Sequence, residues 1–167
     1  IAIIMCQKII KVKSKHMPRI HELNQSALPA VSSVTEEELS HFLKISDYFR
    51  IIIKEKKIVG FLIAMTPGKN YGSSNYKWFE KHYKHFMYID RVVIDPAFRG
   101  RGFGKEFYND LSAFSLLFTH IISCEVNIKP KNNASLIFHA KYGFKSVGTQ
   151  KTENGKKTVS LMICQII

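Results

Sequence analysis

Residues 92–105 read Val92-Val93-Ile94-Asp95-Pro96-Ala97-Phe98-Arg99-Gly100-Arg101-Gly102-Phe103-Gly104-Lys105. A β-branched strand runs into a glycine-rich basic turn, and the turn opens directly into a predicted helix. The first amides of a helix have no internal partner, and the helix dipole adds partial positive charge there. Glycines let the backbone approach an anion closely, and Arg99, Arg101 and Lys105 add full charges. The stretch predicts a phosphate or pyrophosphate site, and the alternative is a basic glycine turn that satisfies only its own backbone.

The segments around this loop alternate between strand and helix patterns. Predicted strands cover residues 9–13, 48–54, 58–65, 86–94, 121–128, 144–149 and 158–166. Predicted helices begin at the capping box of Thr35 and Glu38, follow the loop from Phe103 to Leu117, and run from about residue 133 to Gly143. Hairpin turns are expected at 55–57 and at Asn154-Gly155. This order predicts an α/β (α+β) fold with a single mixed, mostly antiparallel central sheet flanked by helices.

The composition is that of a globular protein with an excess of positive charge. The chain has 167 residues, and Lys+Arg 25 against Asp+Glu 13 gives a net charge of +12. A length of this order fits one domain, so we expect residues 1–167 to form a single domain. A hydrophobic fraction of 46% excludes a disordered basic tail protein.

The spacing of the cysteines and the length of the apolar runs indicate the cellular compartment. Cys6, Cys124 and Cys164 contain no Cys-x-x-Cys pair, so neither a disulfide framework nor a zinc clamp is expected. No apolar run approaches the ~20 residues of a membrane span. The opening 1–6 is too short for a signal peptide. We therefore expect a cytoplasmic protein with no membrane partner.

The segment from Thr66 to His85 is rich in both loop formers and aromatic residues. It contains Pro67, Gly68 and Gly72, and its aromatic residues include Trp78. Long loops are uncommon in compact domains unless they serve a site. Two interpretations stand: a surface subdomain that packs its own aromatic rings, or an aromatic lid over a ligand.

Two nucleotide-binding motifs fail on the glycine-rich loop, and a third motif fits. The Walker pattern needs Gly-Lys-Ser/Thr, and the dinucleotide pattern needs Gly-x-Gly-x-x-Gly; neither occurs at 99–105. The spacing Arg99-x-x-Gly102-x-Gly104 resembles the Arg/Gln-x-x-Gly-x-Gly/Ala signature of the GCN5-related N-acetyltransferase (GNAT) superfamily. Glu125-Val126-Asn127, followed by the stretch 132–144 ending in Gly143-Phe144, resembles the closing motif of the same superfamily. The two motifs together cover residues 86–144 in the family's order.

The resemblance implies a coenzyme site. In this superfamily the loop binds the pyrophosphate of acetyl-CoA, the preceding strand pairs with the pantetheine arm, and a backbone N–H near Val92 stabilises the oxyanion. The implied cofactor-binding residues here are Val92, Val93, Ile94, Arg99, Gly100, Arg101, Gly102, Phe103, Gly104, Lys105 and Asn132. Acetyl-CoA is the implied co-substrate, and no metal is expected.

The resemblance also implies catalytic residues. Glu125 stands where ribosomal-protein alanine acetyltransferases carry an acidic base, and strand alternation places it opposite the apolar face of Cys124 and Val126. Asp90 is the second candidate, because it lies on the same strand face as Val92. Either carboxylate could instead pair with a neighbouring Arg or Lys. His139 occupies the position of the family's usual Tyr acid, and its alternative role is packing.

Two weaker signals favour structural roles. Cys124 lies on the apolar face of its strand, which favours an inert core thiol over a nucleophile. His82-x-x-His85 with Glu80 resembles part of a metal site, but a third strong ligand is missing nearby, so a charged loop face is favoured.

The leading functional hypothesis is an acetyl-CoA-dependent N-acetyltransferase in which a primary amine attacks the thioester directly in a ternary complex. The pattern resembles an uncharacterised bacterial branch of the superfamily, with a small amine or an aminoacyl end as acceptor. The alternatives are a basic nucleic-acid or ribosome-associated binding module, which the scattered basic residues disfavour, and a CoA-binding member without catalysis. The sequence leaves open the identity of the acceptor and whether the chain forms a homodimer.

Overall fold

A computed structural model describes residues 7–167 of the chain. Cys6 and the opening apolar segment lie outside the described residues. The strands are β1 (Lys8–Lys11), β2 (Tyr48–Lys54), β3 (Lys57–Met65), β4 (Met87–Ile94), β5 (Ile121–Lys129), β6 (Lys145–Thr152) and β7 (Lys157–Gln165). The α-helices are α1 (Met17–Ser26), α2 (Glu36–Ile45), α3 (Ser74–His82), α4 (Phe103–Ser115) and α5 (Asn133–Tyr142). No helix within residues 7–167 has the length and apolar character needed to cross a bilayer.

The seven strands form one mixed sheet in the order β1-β2-β3-β4-β5-β7-β6. β4 and β5 run parallel, whereas β1–β2, β2–β3, β5–β7 and β6–β7 are antiparallel. The predicted mixed α/β fold is therefore confirmed. The chain divides into two compact units, one comprising residues up to Ala64 with Arg91–Leu111, and the other Met65–Asp90 with Ser112–Ile167.

The first unit has a core built on β2, β3 and α4. β3 is a continuous apolar run, and its residues from Val59 to Met65 are fully buried, as expected for a strand covered on both faces. The capping box predicted at α2 is present: Thr35 Oγ1 accepts from the Glu38 amide at 3.1 Å, and Glu38 Oε2 accepts from the Thr35 amide at 2.7 Å. α1 has its own apolar stripe, in which Ile20 and Leu23 are buried. The sequence pattern had placed no helix at these residues.

The second unit contains the aromatic segment, which is not one long loop. Helix α3 spans its second half, capped by Ser73, whose side chain accepts from the Tyr76 amide. Tyr76 and Phe79 are completely buried. Their rings pack against those of Phe86 and Tyr88, with centroids 5.5–6.1 Å apart. The sequence pattern predicts no helix here, because the front half rich in Gly and Ser masks the helical spacing of Tyr76, Phe79 and Tyr83.

The remaining local predictions of the second unit are confirmed with small changes at the ends. Gly143 ends α5 in the left-handed conformation, with φ of 117°. The β6–β7 turn contains Asn154 and Gly155, both with positive φ. On β5 the sequence predicts that buried apolar residues alternate with exposed polar residues, and this alternation fails at one position. Ser123 is fully buried, as is its neighbour Ile122, so both faces of the strand are covered there.

Candidate active site

The glycine-rich loop of the first unit has the open geometry that an anion site requires. Gly100 and Gly102 adopt positive φ values of 74° and 86°. A Cβ added at either position would meet no heavy atom within 4 Å. Helix α4 begins immediately afterwards at Phe103, and the Glu106 amide donates to the Gly102 carbonyl at 3.0 Å. The backbone of this turn is therefore exposed beside unpaired helix amides, as pyrophosphate binding needs.

The charges of the loop lie on its surface. Arg99, Arg101 and Lys105 are all exposed. The Arg99 Nε donates to the Ile94 carbonyl at 3.2 Å, and the Arg101 guanidinium lies over the Phe98 ring at 5.1 Å. These contacts hold the guanidinium groups of Arg99 and Arg101 against the protein, and the loop still presents three exposed cations. The residues present therefore fit a group that carries several phosphate charges.

Asp95 anchors the start of this loop. Its amide donates to the Val59 carbonyl at 2.8 Å, and its Oδ1 accepts from the Ala97 amide at 2.9 Å. Its Oδ2 accepts from Arg19 of α1 at 2.6 Å. Gly60 allows β3 to approach β4 closely, because a Cβ there would lie 2.7 Å from the Val93 carbonyl oxygen. The start of the loop is thus held by Val59 of β3, by Arg19 of α1 and by the Asp95 side chain, which caps the turn that follows it.

In the second unit, Glu125 is partly buried on β5 among polar partners. The Tyr88 hydroxyl of β4 donates to its carboxylate, 2.7 Å from Oε2 and 2.9 Å from Oε1. Asn75 of α3 also hydrogen-bonds Glu125. Because Asn75 Oδ1 accepts from Gln150 at 2.9 Å, the amide nitrogen of Asn75 is the group left to donate. Glu125 therefore has two donors and no arginine or lysine among these partners.

The acidity of Glu125 is strongly altered by this environment. Burial raises its pKa to about 8, and the charge of Asp90 acts in the same direction. The hydrogen bonds from Tyr88 and Asn75 act against the rise. A carboxyl group with this pKa is a much stronger base than an ordinary glutamate.

Asp90 belongs to β4 of the same unit, and its charge raises the pKa of Glu125. Asp90 is half-buried on β4 and accepts a hydrogen bond from the Tyr71 hydroxyl. Tyr71 belongs to the stretch before α3. The two carboxylates that the sequence singled out thus lie on the paired strands β4 and β5, and the aromatic segment supplies a partner to each.

The two predicted residues around α5 have defined local roles. Asn132 caps the helix, since its Oδ1 accepts from the Ser135 amide at 3.2 Å. His139 is buried, and its Nδ1 donates to the Ser135 carbonyl at 2.7 Å. That bond assigns the proton to Nδ1 in the neutral ring. Burial lowers the pKa of His139, so the neutral form is favoured.

The weaker sequence signals find structural partners. Cys124 is buried, and burial raises the pKa of its thiol well above the ordinary value, which makes a nucleophilic thiolate unfavourable. His82 Nδ1 donates to the Trp78 carbonyl at 2.7 Å, and Glu80 accepts from the Gly68 amide at 2.8 Å. Across residues 7–167, no three His, Cys, Asp or Glu side chains gather as a metal site.

Sequence reasoning missed the side chains that surround the carboxylates. Tyr88 could have been found, because it lies two residues before Asp90 and so on the same face of the strand. Tyr71, Asn75 and Gln150 come from segments far from Glu125 in the sequence, and no local pattern indicates them.

Comparison with solved structures places this geometry in a known fold. Ard1 from Thermoplasma volcanium superimposes with a TM-score of 0.79 at 14% identity, over 96% of this chain and 98% of that one. The ribosomal-protein-S18-alanine N-acetyltransferase from Escherichia coli gives 0.72 at 14% identity, over 96% and 94%. A GNAT-family acetyltransferase from Streptococcus pneumoniae gives 0.71 at 18% identity, over 97% and 100%. At sequence identities this low, these structural similarities show a shared fold alone.

Comparison at the level of sequence identifies the family. Among curated proteins, none matches the chain at a significant level. A sequence profile of the acetyltransferase (GNAT) family matches residues 17–144, which include both the glycine-rich loop and the Gly143-Phe144 ending. The loop, the mixed sheet and the family match agree: the chain is an acetyltransferase of the GNAT family.

Proposed function

We propose that the protein is an N-acetyltransferase that moves the acetyl group of acetyl-CoA to a primary amine by direct attack in a ternary complex. The observation that carries this proposal is the partly buried Glu125 with its raised pKa, which supplies a base strong enough to take a proton from an amine. We further propose that the two units act together as one acetyltransferase domain over residues 1–167.

The proposed coenzyme site uses residues of the first unit. Arg99, Arg101 and Lys105 neutralise the pyrophosphate, and the backbone of Gly100, Gly102, Phe103 and Gly104 donates to it. Val92, Val93 and Ile94 pair with the pantetheine arm. Support comes from the positive φ of the two glycines and the open space above them. Asn132 is proposed as a further coenzyme contact from the start of α5.

The proposed chemistry needs a neutral amine, an oxyanion donor and a proton for the departing thiolate. Acetyl-CoA supplies the acetyl thioester. The amine nitrogen forms a bond to the carbonyl carbon, the carbon–sulfur bond breaks, and Glu125 accepts the proton that nitrogen loses. The backbone N–H of Val92 is the proposed oxyanion donor. Positioning of the two substrates supplies much of the remaining acceleration.

The departing thiolate also needs a proton donor. His139 is the sequence-based candidate, and this role stays a prediction. Its Nδ1 proton is donated to Ser135, so Nε2 would have to deliver the proton. Because burial lowers the pKa of His139, the cationic ring that could do so is a minor form at neutral pH.

The basicity of Glu125 supports an acceptor of the aminoacyl type. An α-amino group has a pKa of about 7.7–8.0, whereas an alkyl amine such as that of lysine lies near 10.4. Proton transfer from an α-ammonium group to a carboxylate with a pKa of about 8 is nearly balanced. Transfer from an alkylammonium group is unfavourable, because its pKa is higher than that of the carboxyl group by roughly two. We therefore propose a small amine or an aminoacyl end carrying an α-amino group as acceptor.

A panel of acceptors tests this function. Thiol release from acetyl-CoA would be followed with amino acids, aminoacyl amides, short peptides, polyamines and an acceptor-free control. We expect release above the control with at least one α-amine and a lower kcat/KM for polyamines. Release at the acceptor-free rate across the whole panel would reject the proposed function.

A further inference from the structure

Helix α3 packs on the face of the sheet that carries Glu125. The register of the second unit pairs Glu125 with Leu161 of β7, and Leu161 with Gly148 of β6. Residues paired in this way point to the same face of a sheet, so a side chain at position 148 would lie on the face of Glu125. Trp78 of α3 takes that space, because a Cβ at Gly148 would lie 2.9 Å from Trp78 Cζ2. Glycine at this position therefore lets α3 pack directly on β6, two strands away from the carboxylate.

The same helix also contacts β4, the strand on the other side of β5. The ring centroids of Tyr76 and Phe79 lie 5.5 and 5.9 Å from that of Tyr88. The hydroxyl of Tyr88 donates to Glu125 of β5. Because β5 lies between β4 and β6 in the sheet, α3 spans the strand that carries the carboxylate.

Two side-chain amides connect β6 to Glu125. Gln150 lies two residues beyond Gly148 on β6, and its Nε2 donates to Asn75 Oδ1 at 2.9 Å. Asn75 is buried on α3 and hydrogen-bonds Glu125. An amide whose oxygen accepts from one neighbour has its nitrogen left to donate to another. Gln150 thereby selects the orientation of Asn75 in which a donor, and not an acceptor, faces the carboxylate.

We propose that Gln150 is a positioning residue for Glu125: it holds the Asn75 amide so that the amide nitrogen donates to the carboxylate, together with the hydroxyl of Tyr88. The inference rests on the proposed acetyl transfer for its catalytic meaning, but the arrangement of the two amides does not depend on it. If the oxygen of Asn75 faced the carboxylate instead, two negatively polarised groups would meet, and the ionised form of Glu125 would be disfavoured. Gln150 thus acts on the base through Asn75.

The titratable groups that interact with Glu125 lie on β4 and β5, and a change at Gln150 leaves all of them in place. Burial raises the pKa of the Tyr88 hydroxyl and of the Cys124 thiol well above their ordinary values, so both groups stay protonated. The charge of Asp90 on β4 raises the pKa of Glu125. The neighbours on α3, β7 and β6 are uncharged side chains: Asn75, Leu161 and Gln150. A difference in Glu125 between the wild type and an uncharged Gln150 variant therefore reports the amide pair.

The first experiment reads the proton on Glu125 directly, without coenzyme or acceptor. Protein labelled with ¹³C at the glutamate side-chain carboxyl would be titrated by NMR, with Glu125→Gln identifying the Glu125 signal. Gln150→Met keeps the approximate size of the side chain and removes the donor. We expect the Glu125 signal to titrate roughly one pH unit higher in this variant, because a donor to the ionised form is lost. Thr149→Val, at the exposed neighbouring position of β6, should leave the titration unchanged.

A double variant tests whether Gln150 acts through Asn75. Asn75→Ala removes the donor outright and should shift the Glu125 titration at least as far as Gln150→Met does. Adding Gln150→Met to Asn75→Ala should produce no further shift, because two residues that act in one chain are not additive. The proposal is overturned by an unchanged titration in Gln150→Met, or by a full additional shift in the double variant.

The kinetic arm separates a positioning role from a purely structural one. In Gln150→Met, kcat/KM should fall about tenfold near pH 7, because a pKa higher by one lowers the ionised fraction about tenfold. It should return to within about threefold of the wild type near pH 10, where Glu125 is largely ionised in both proteins. An equal fall at every pH overturns the proposal, because lost stability would act in that way. If the NMR shift appears while no acceptor is acetylated, the proposed function fails and the action of Gln150 on Glu125 remains.

Discussion

The hydroxyl of Tyr88 donates to the carboxylate of Glu125 from the neighbouring parallel strand, 2.7 Å from one oxygen and 2.9 Å from the other. Tyr88 is fully buried, so the contact ties Glu125 to the aromatic core around α3. Its hydrogen bond lowers the pKa of Glu125, while burial and Asp90 raise it. The carboxyl group is thus oriented by one neighbour and made basic by its surroundings.

Replacing Glu125 with glutamine should remove the base. General-base catalysis contributes about 10²–10⁴-fold, so we expect kcat to fall by at least a hundredfold. The affinity for acetyl-CoA should remain within about twofold, because the proposed phosphate contacts belong to other residues. Steady-state kinetics and calorimetric binding measure the two effects.

The control for this change is Glu37→Gln on the exposed face of α2, which should leave both quantities unchanged. A fall in kcat of less than fivefold in Glu125→Gln would assign the base to another group.

The pH dependence follows from the raised pKa of Glu125. Glu125 acts as a base only when ionised, so kcat/KM should rise with pH up to about 8 and level off above it. In Tyr88→Phe one hydrogen bond that favours the ionised form is lost, so this limb should move to higher pH. The profile of kcat/KM against pH, measured with an acceptor whose own ionisation is known, checks both directions. A limb that moves to lower pH in Tyr88→Phe would contradict the assignment.

The positive charges of the glycine-rich loop should act on coenzyme affinity. Hydrogen bonds to charged groups contribute about 1.5–3 kcal/mol, so Arg101→Ala should raise the Kd for acetyl-CoA by about tenfold or more. The effect should shrink as ionic strength rises, because salt screens exposed charges. Calorimetric titration at two salt concentrations measures it.

Lys44→Ala provides the matched control, since it removes an exposed charge of the same unit on α2. Equal losses of affinity in Arg101→Ala and Lys44→Ala would mean that the general charge of +12, and not the loop, attracts the coenzyme.

His139→Gln should affect stability more than turnover. Because the cationic ring is scarce near neutral pH, we expect kcat to fall by less than about tenfold. The pKa of His139 is lowered in the folded state, so the unfolded chain binds the proton more readily as pH falls below about 6.5. The wild type should therefore lose thermal stability between pH 7.5 and 5.5, and the variant should lose less of it. A hundredfold fall in kcat with unchanged stability would instead make His139 the acid.

The part of this structure that the sequence predicts best is local. Arg99, Gly102 and Gly104 lie within six residues, so the charge and the glycines of the loop are visible without knowing the fold. The capping box of Thr35 and Glu38 and the left-handed Gly143 are recognised for the same reason. Glu125 follows from the alternation of a single strand.

The partners of Glu125 could not be predicted in this way, because the fold brings them from distant segments. Tyr88 and Glu125 are 37 positions apart, and Gln150 reaches Asn75 across 75 positions. Helix α3 was missed because Pro67, Gly68 and Gly72 mask the helical spacing of the residues that follow. The same segment supplies Tyr71 and Asn75, so the missed helix and the missed partners have one cause.

Calorimetric titration of the protein with acetyl-CoA tests the coenzyme site most directly. We expect saturable binding at one site per chain, with a thermal stabilisation of about 2.7 kcal/mol when the ligand is at a hundred times its Kd. Arg101→Ala should weaken that binding, and Glu125→Gln should not. Absence of binding heat and of any thermal shift at millimolar acetyl-CoA would contradict the proposed coenzyme site.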